Sequence, residues 1–345
     1  MVVLVTGGSG FVGSHLIARL TSAGHQVRAL ARHRGRLARA LAPHHATGVE
    51  VVDGDVRDPG AVKAAVAGCD AVMHAANVYS LDVRRRAEMH HTNVEGTRIV
   101  LEAALAAGCD PVVHVSSIVA LLPAPEPITD AAPIGTNETT AYASSKVRAE
   151  RIARGLQDDG APIVTTYPGA VLGPLDPAAG EMLTILGGAL EGGYLTRLGG
   201  DPGFSIADVR WVADAHERLL VPGHGPRRVT MGGRYVTMDD YVGLLRSLTG
   251  RRLPALMPSP KAMTLATGRV ADALRRSVRL RLPFSYEQVW LTYAWPPSHD
   301  RLAEQLAGPP PPLEDTVGDA IRWLVAAGHL SVKHAGSLGR ATVNA

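Results

Sequence analysis

The fold of this chain is decided near its start, by the stretch Val2-Val3-Leu4-Val5-Thr6-Gly7-Gly8-Ser9-Gly10-Phe11-Val12-Gly13. An apolar strand runs directly into a glycine-rich turn, and a helix follows. Glycine is needed where backbone must turn tightly and approach a pyrophosphate without a Cβ, and the free N–H groups of the helix attract phosphates. The turn fits both Gly8-x-Gly10-x-x-Gly13 and Gly7-x-x-Gly10-x-x-Gly13. It predicts a dinucleotide site formed by Gly7, Gly10, Phe11, Val12 and Gly13.

Short β-rich runs and alanine-rich helical stretches alternate through the first half of the chain. Strand, helix and strand at this spacing indicate parallel pairing with right-handed crossovers, and hence a doubly wound α/β sheet of the Rossmann type. The predicted strands are Val2–Val5, Gln26–Ala31, Val49–Val52, Ala71–His74, Val112–Val115 and Ile163–Thr166. The predicted helices are Gly13–Ala23, Ala61–Ala67, Asn93–Ala107 and Ala141–Leu156.

Proline and glycine become frequent from Gly173 onward, and the strand signal fades. We therefore predict a dinucleotide-binding domain over residues 1–172, with a return to it over 204–232. A smaller, mostly helical substrate-binding lobe is predicted over 173–345. The helices and the linker predicted in this part are Ile206–Leu220, Thr237–Ser247, a stiff proline run at Pro309–Pro312 and a last amphipathic helix, Leu313–Ala326.

The composition limits the class of protein. The chain has 345 residues, of which 46% are hydrophobic and 19% charged, far from the composition of a disordered chain. No apolar stretch approaches the ~18 residues that a membrane span needs. We therefore expect no membrane span. Met1 leads into a strand without a basic leader, so we also expect no secretory signal and a cytoplasmic protein. Cys69 and Cys109 are predicted to be buried thiols rather than a disulfide or a metal site.

The net charge of +3 raises the question of a nucleic-acid partner. Of the 35 basic residues, 31 are arginine and four are lysine, and they are spread among acidic residues along the chain. No basic run is interleaved with aromatic residues of the kind that follows a phosphate backbone. We therefore expect no nucleic-acid partner.

Arginines cluster around the end of the second predicted strand. A cofactor that lacks a 2′-phosphate usually requires a carboxylate about 20 residues after the glycine turn, but the first acidic residue of the chain is Glu50. In its place stand Arg28, Arg32, Arg34, Arg36 and Arg39. Because a guanidinium pairs bidentately with phosphate, we predict NADP(H) as the preferred cofactor and NAD(H) as the alternative, with Arg32 and Arg36 as contacts. Solvation of a surface helix is the competing role, above all for Arg39.

Asp55 and Val56 follow the third predicted strand, where they are expected to contact the adenine ring. Asp55 is placed to accept a hydrogen bond from the adenine amino group. A helix N-cap or a turn is its alternative role.

A second motif, Tyr142-Ala143-Ser144-Ser145-Lys146, opens a predicted helix. Residues four apart lie on one helical face, so the phenol and the ammonium point the same way. A neighbouring cation favours the phenolate, so Lys146 is expected to lower the pKa of Tyr142 and make it an acid and base near neutral pH. Ser116 and Ser117 end a predicted core strand 25 residues upstream, at the edge where ligands bind. Either serine is a candidate partner of the tyrosine.

In these segments the chain resembles the extended short-chain dehydrogenases/reductases of the NAD-dependent epimerase/dehydratase family. The matching pieces occur in the family's order and cover about the first half of the chain. They are Thr6–Gly13, Gly54–Asp58, His74–Ala76, Asn93–Thr97, Val115–Ser117, Tyr142–Lys146 and Tyr167–Pro174.

The resemblance implies a role for each matched residue. Ser117, rather than Ser116, would hold the substrate oxygen, Tyr142 would transfer its proton, and Lys146 would tune Tyr142 and reach the ribose. Asn93 would orient a proton-relaying water, with a helix N-cap as its alternative role. The expected ribose and nicotinamide contacts are Ala75 and Ala76, next to His74, together with Tyr167 and Pro168; a satisfied core histidine is the alternative for His74.

The family includes reductases, sugar-nucleotide epimerases and dehydratases. Its usual Asp-Glu dehydratase pair is replaced here by Ile118-Val119, and the basic end of strand two disfavours the tightly bound NAD of epimerases. The sequence therefore resembles the dihydroflavonol 4-reductase and hydroxysteroid dehydrogenase branch, which implies an NADPH-dependent carbonyl reductase. The alternatives are an NAD-dependent epimerase and a non-catalytic dinucleotide sensor. Family members often pair through the helices around Asn93 and Tyr142, which implies a homodimer.

Five of the 15 aromatic residues fall within Phe284–Trp295, and three of them, Tyr286, Trp290 and Tyr293, have helical spacing. Such a stripe is more typical of packing than of a pocket wall. If it lines the crevice, the small-molecule substrate is apolar or aromatic.

Overall fold

The computed structural model describes residues 1–80, 83–193, 195, 197–255, 259–277 and 285–343. Within these ranges, seven strands form one parallel sheet in the order β3-β2-β1-β4-β5-β6-β9. This confirms the predicted doubly wound Rossmann sheet. Its strands are β1 (Val2–Thr6), β2 (Gln26–Ala31), β3 (Glu50–Asp53), β4 (Ala71–His74), β5 (Val112–Val115), β6 (Ile163–Pro168) and β9 (Arg227–Met231).

Alternate residues of β1 pack on opposite faces of the sheet, as the two-residue period of a strand requires. Val3 and Val5 join a core cluster with Leu16 and Ile17 of the first helix. Leu4 lies in the cluster on the other face. The sheet is therefore buried on both sides, which is why its strands read as continuous apolar runs.

Helices cover both faces of the sheet. The first half of the chain contains α1 (Phe11–Ser22), α2 (Arg34–Leu41), α3 (Pro59–Val66), α4 (Arg86–His90), α5 (Gly96–Ala106) and α6 (Ala141–Asp158). The second half contains α7 (Glu181–Gly192), α8 (Val209–Arg218), α9 (Met238–Thr249), α10 (Lys261–Ser277), α11 (Tyr286–Ala294), α12 (Arg301–Ala307), α13 (Leu313–Ala326), α14 (Val332–Ala335) and α15 (Ser337–Val343). Short 3₁₀ turns lie at Ala42–His44, Val83–Arg85 and Ile118–Leu121, and a π-helical turn at His91–Glu95 joins α4 to α5.

A three-stranded sheet, β10-β8-β7, lies beside the main one and is built from β7 (Ala170–Leu172), β8 (Gly203–Asp208) and β10 (Arg234–Thr237). It corrects the prediction of a helix over Ile206–Leu220. Ile206 pairs with Ala170 on one side and Arg234 on the other, so strand pairing with distant segments determines its conformation. The helix begins only after Asp208, whose side chain caps it by accepting from the Arg210 amide.

The C-terminal helices pack on this small sheet around a separate apolar core that includes Leu186, Leu245 and Ile321. The predicted helix Leu313–Ala326 forms with those bounds. It is not the last one, because α14 and α15 follow it. These two short helices carry a weak periodic signal and pack mainly on α13, α9 and each other.

No helix in the described ranges combines the length and apolar character needed to cross a bilayer. Cys69 and Cys109 are free buried thiols, as predicted. No cluster of metal-binding side chains occurs in the part of the chain that the structure describes.

Candidate active site

A cavity of about 1010 Å³ opens at the carboxyl ends of the parallel strands. β1 lies between β2 and β4, so the strand order reverses at β1: β2 and β3 lie on one side of it and β4 to β6 on the other. A crevice opens at such a reversal point. The cavity extends from the glycine turn after β1, past the start of α6, to the loop before α7.

The glycine turn has little room for side chains. Gly7 has a φ of +76°, and a Cβ there would lie 2.6 Å from the backbone carbonyl carbon of Ala75. A Cβ on Gly13 would collide with the carbonyl of Gly7, so this position lets the helix pack on the turn. Gly10, the N-cap of α1, has no side chain to cap the first helical N–H groups. The cavity is lined here by Gly7, Ser9, Gly10, Phe11, Val12 and Gly13.

The five arginines near the end of β2 divide into two groups. Arg28 pairs with Glu50, and Arg34 pairs with Asp53, so both are engaged on the surface of the sheet. The other three, Arg32, Arg36 and Arg39, line the cavity. Arg39 is exposed on α2, as surface solvation requires, but it also lines the cavity one turn after Arg36.

Asp55 also lines the cavity, beside Val56. Its carboxylate accepts from the Arg57 amide at 2.9 Å and from the Arg57 guanidinium, which lowers its pKa. The Arg32 guanidinium lies 3.8 Å away. The N-cap of α3 is Asp58, so the alternative N-cap role for Asp55 is excluded and the turn role is realised.

Tyr142 and Lys146 lie one turn apart on α6, and both line the cavity. The phenol of Tyr142 interacts with the side chains of Ser117 and Asn77, and both interactions lower its pKa. The ammonium of Lys146 lies 5.9 Å from the centre of the Tyr142 ring and donates to the backbone carbonyl of Ser116 at 3.4 Å. The strand end of β5 and the first turn of α6 thus bring a serine, a phenol and an amine together.

The geometry separates the two serines. The hydroxyl of Ser116 donates to the buried carboxylate of Glu150 at 3.0 Å. Ser117 faces the phenol of Tyr142 and also accepts from the Val119 amide at 3.2 Å. Ser117 is therefore the serine that can contact a group bound beside Tyr142.

The pKa of Tyr142 moves in the direction opposite to the sequence-based expectation. Burial raises it, and the Glu287 carboxylate raises it further, while the hydrogen bonds from Ser117 and Asn77 act against this rise. Burial also lowers the pKa of Lys146 to about 8, opposed by Glu150. The expectation ignored burial, which penalises a phenolate and an ammonium alike.

Asn93 lies in the π-helical turn, within a continuous helical segment, and is not an N-cap. Its Oδ1 atom accepts from the Val78 amide at 2.8 Å, and Nδ2 donates to the Val78 carbonyl at 2.9 Å and to the Ser145 hydroxyl at 3.0 Å. Its buried side chain is not among the cavity-lining groups. The side chain of Asn93 therefore clamps the segment after β4, and the role of Asn93 in orienting a proton-relaying water stays a prediction.

We expect Asn93→Ala to lower the free energy of unfolding by about 2–4 kcal/mol, because two buried backbone groups of Val78 lose their partner. Urea unfolding followed by circular dichroism measures this loss. Asn93→Asp keeps the acceptor for the Val78 amide and is expected to lose less. A stability equal to wild type in the alanine variant would contradict the clamp.

Two other predicted cofactor neighbours belong to the core. His74 is bonded to Thr6 at 2.8 Å and to Thr97 at 3.0 Å, and burial lowers its pKa to about 3, so it is a satisfied core histidine. The hydroxyl of Tyr167 donates to Glu150 at 2.6 Å, and this buried side chain does not line the cavity. The prediction of a cofactor contact for Tyr167 is thus corrected to a packing role. Ala75, Ala76 and Pro168 do line the cavity.

The far end of the cavity, opposite the glycine turn, is formed by the C-terminal part of the chain. Its apolar walls come from Tyr79, Val119, Val171, Met182, Leu291 and Trp295. Acidic groups here are Asp176, which closes its own turn by accepting from the Gly180 amide at 2.9 Å, and Glu181. Among the residues of this end that the structure describes, Lys146 beside Tyr142 is the only arginine or lysine in the lining.

The aromatic stripe is a packing element, apart from Phe284, which lies outside the described residues. Tyr286 stacks under Arg269 of α10, and Tyr293 donates to the Gly199 carbonyl at 3.0 Å. None of Tyr286, Trp290 and Tyr293 is among the cavity-lining residues. The lobe reaches the cavity instead with Leu291 and Trp295.

Sequence reasoning missed several site residues. Asn77 directly follows the predicted His74-Ala75-Ala76 strand end, so the strand-end rule that selected Ser117 could have found it. Ser9 and Thr92 lie next to predicted residues. Asp176, Glu181 and Leu291 carry no signal in one sequence, because their approach depends on how the lobe packs.

The residues present fit a dinucleotide. The glycine turn presents backbone N–H groups without an intervening Cβ, the cationic arginines lie beyond β2, and Tyr142 lies at the other side of the turn. Phosphates would rest on the first turn of α1, and the reactive ring would lie toward Ser117 and Tyr142.

Comparison with known proteins agrees with this geometry. The sequence profile of the NAD dependent epimerase/dehydratase family matches residues 3–232. The chain is 31% identical over 265 residues to "Putative dihydroflavonol 4-reductase" of Synechocystis sp., covering 74% of this chain and 73% of that protein. It is 30% identical over 323 residues to "2-alkyl-3-oxoalkanoate reductase" of Stenotrophomonas maltophilia, covering 90% of each chain.

Solved structures share the fold. The crystal structure of gox2253 has a TM-score of 0.78 and 26% identity, and the match covers 96% of this chain and 99% of that one. A UDP-glucose-4-epimerase from Stenotrophomonas maltophila with bound NAD has a TM-score of 0.72 and 20% identity, covering 95% and 99%. The resemblance found in the sequence is therefore confirmed. The chain belongs to the NAD-dependent epimerase/dehydratase family, the extended short-chain dehydrogenases/reductases, and is an NAD(P)-dependent oxidoreductase.

Proposed function

We propose that this protein is an NADP(H)-preferring reductase that converts the carbonyl of a small apolar or aromatic ketone or aldehyde to an alcohol. One observation carries this proposal. Among the described residues, the substrate end of the cavity is lined by apolar walls and two carboxyl groups, and Lys146, beside Tyr142, is its one lining cation.

This lining disfavours a nucleotide-sugar. A diphosphate is held in proteins by arginines, lysines or free backbone N–H groups. The lining arginines that the structure describes lie at the other end of the cavity, beyond the glycine turn, whereas Asp176 and Glu181 line the substrate end. The walls formed by Val171, Met182 and Leu291 instead favour hydrocarbon.

The names of two relatives support the same class. The Synechocystis and Stenotrophomonas relatives are both named as reductases, and the second is named for a 2-alkyl-3-oxoalkanoate, a ketone with an alkyl chain and one carboxylate. Val119 lines the cavity at one of the two positions where a dehydratase of this family would carry its acid pair. That substitution favours simple reduction over elimination of water.

The side chains supply the acid chemistry. When bound, the reduced dinucleotide supplies a hydride to the carbonyl carbon. Ser117 holds the carbonyl oxygen, and Tyr142 donates its hydroxyl proton to that oxygen, so the product is the alcohol. Lys146 binds the ribose and, as a cation, stabilises the phenolate left after proton transfer. Burial keeps Tyr142 protonated before the reaction, as an acid must be.

The experiment that tests the proposal is a substrate panel. Alkyl ketones, 3-oxo acids, aromatic aldehydes and UDP-glucose are each incubated with NADPH or NADH, and the nicotinamide absorbance is followed. We expect oxidation with the apolar carbonyl compounds and NADPH. Conversion of UDP-glucose without net cofactor change would overturn the reductase in favour of an epimerase.

A pH prediction follows from Lys146. Its pKa of about 8 means that the ammonium is charged below that value and neutral above it. Tyr142 stays protonated because burial raises its pKa.

We therefore expect kcat/KM for NADPH to fall as the pH rises through about 8. Lys146→Arg keeps its charge at high pH, so its profile should lack this fall at a lower overall rate. A wild-type profile that is flat across this range would contradict the role of Lys146.

We also propose that residues 1–172 with 204–232 hold the cofactor and that 173–345 provide the substrate lobe. A homodimer remains a prediction, which light scattering during size-exclusion chromatography measures directly.

A further inference from the structure

The helix that carries Tyr142 lacks its own N-terminal cap. Thr140 is the N-cap residue of α6, but its side chain caps no backbone N–H, and the first turn of α6 contains no acidic residue. The first N–H groups of a helix need acceptors when they are buried, because they have no partner within the helix. In this protein those N–H groups belong to Tyr142 and Ala143, at the centre of the proposed site.

The missing acceptor comes from the other lobe. Glu287 of α11 accepts from the Ala143 amide at 2.8 Å and from the Tyr142 amide at 3.3 Å. Its side chain is buried, with 6% of the residue exposed. A carboxylate at this position both satisfies the N–H groups and complements the positive end of the helix dipole.

The same helix forms part of the substrate wall. Glu287 and Leu291 are four residues apart on α11, and Trp295 follows it directly, so all three face one side. Leu291 and Trp295 line the cavity and share a core cluster with Tyr142. α11 is itself fixed by α10, where Asp272 accepts from the Tyr286 amide.

We propose that Glu287 is a positioning residue for Tyr142, through which the substrate lobe sets the place of the phenol in the cavity. The proposal rests on the proposed function for the role of Tyr142. Glu287 does not contact the reacting atoms; it acts by fixing the two backbone amides that orient the tyrosine.

The test has two readouts. Hydrogen exchange of a peptide over residues 140–146 reports on the capped amides without any substrate, and kcat and KM are measured with the best ketone from the panel. We expect Glu287→Ala to speed exchange at the start of α6 and to lower kcat about 10-fold to 100-fold, since a small misplacement of a catalytic group has such effects. NADPH affinity should change little. Glu287→Gln keeps an acceptor and should recover most of both properties.

A matched control is Thr237→Ala, which removes the side-chain cap of α9, outside the cavity. It should leave exchange at residues 140–146 and kcat unchanged. If Glu287→Ala does not alter exchange, or alters it while kcat stays at the wild-type value, the positioning role is overturned. If Glu287→Gln is as impaired as Glu287→Ala, the claim that an acceptor at this position caps the helix and positions Tyr142 is also refuted. If the wild-type protein reduces no ketone, the proposed function is overturned. Hydrogen exchange would still show whether Glu287 caps α6, because it needs no substrate.

Discussion

Tyr142→Phe is expected to lower kcat for ketone reduction by about 10²-fold or more, as loss of a positioned general acid does. The variant retains the aromatic ring, which packs edge-on against Tyr79 with 4.6 Å between the ring centres. It loses only the hydroxyl, which interacts with Ser117 and Asn77. Initial rates with saturating NADPH give kcat, and quenching of protein fluorescence by NADPH gives the dissociation constant, which should stay near the wild-type value.

Tyr241→Phe is a matched control for this substitution. Tyr241 is a tyrosine of α9 that packs on Phe204 at 5.5 Å and does not line the cavity. Its loss of a hydroxyl should leave kcat unchanged. Wild-type turnover in Tyr142→Phe would remove Tyr142 from the mechanism, and weakened NADPH binding would show that the hydroxyl serves the cofactor instead.

The second large effect concerns cofactor choice. We expect the triple substitution of Arg32, Arg36 and Arg39 by alanine to lower kcat/KM for NADPH by about 10-fold to 100-fold, the range for losing a hydrogen bond to a charged group. The value for NADH should change much less, because a bare ribose hydroxyl gains little from a guanidinium. The ratio of the two values isolates this effect from any change in folding.

Arg34→Ala is the control for the triple variant. Arg34 lies in α2 with Arg36 and Arg39, but its guanidinium pairs with Asp53 at 2.7 Å and does not line the cavity. Its removal should leave the cofactor ratio unchanged. A wild-type preference for NADH, or an unchanged ratio in the triple variant, would contradict the assignment of these arginines to a 2′-phosphate.

Local features of the sequence were sufficient for the fold and for half of the site. The glycine turn, the buried strands and the Tyr142–Lys146 spacing each depend on residues close together in the chain, and their physical demands are visible there. Strand ends in a parallel sheet meet at one edge, which correctly grouped Ser117 with the tyrosine. The same logic could have included Asn77.

Other features depend on burial and on contacts between distant segments. The pKa of Tyr142 rises because the packed structure buries it, within a cluster that includes Ile118 as well as Leu291 and Trp295 of the lobe, and no motif reveals this burial. Ile206 is in a strand because partners 36 residues before it and 28 after it pair with it. Glu287 caps a helix that begins 146 residues earlier in the chain, at Ala141. Such pairings require the packed structure.

The most direct test of the account uses NADPH deuterated at the transferable position of its nicotinamide ring, with the best ketone from the panel. Mass spectrometry of the product should find one deuterium at the new alcohol carbon for each NADPH oxidised. If no carbonyl compound takes up the label, while a sugar nucleotide is converted and the cofactor returns to its starting state, this cavity is the site of an epimerase and the reductase account is wrong.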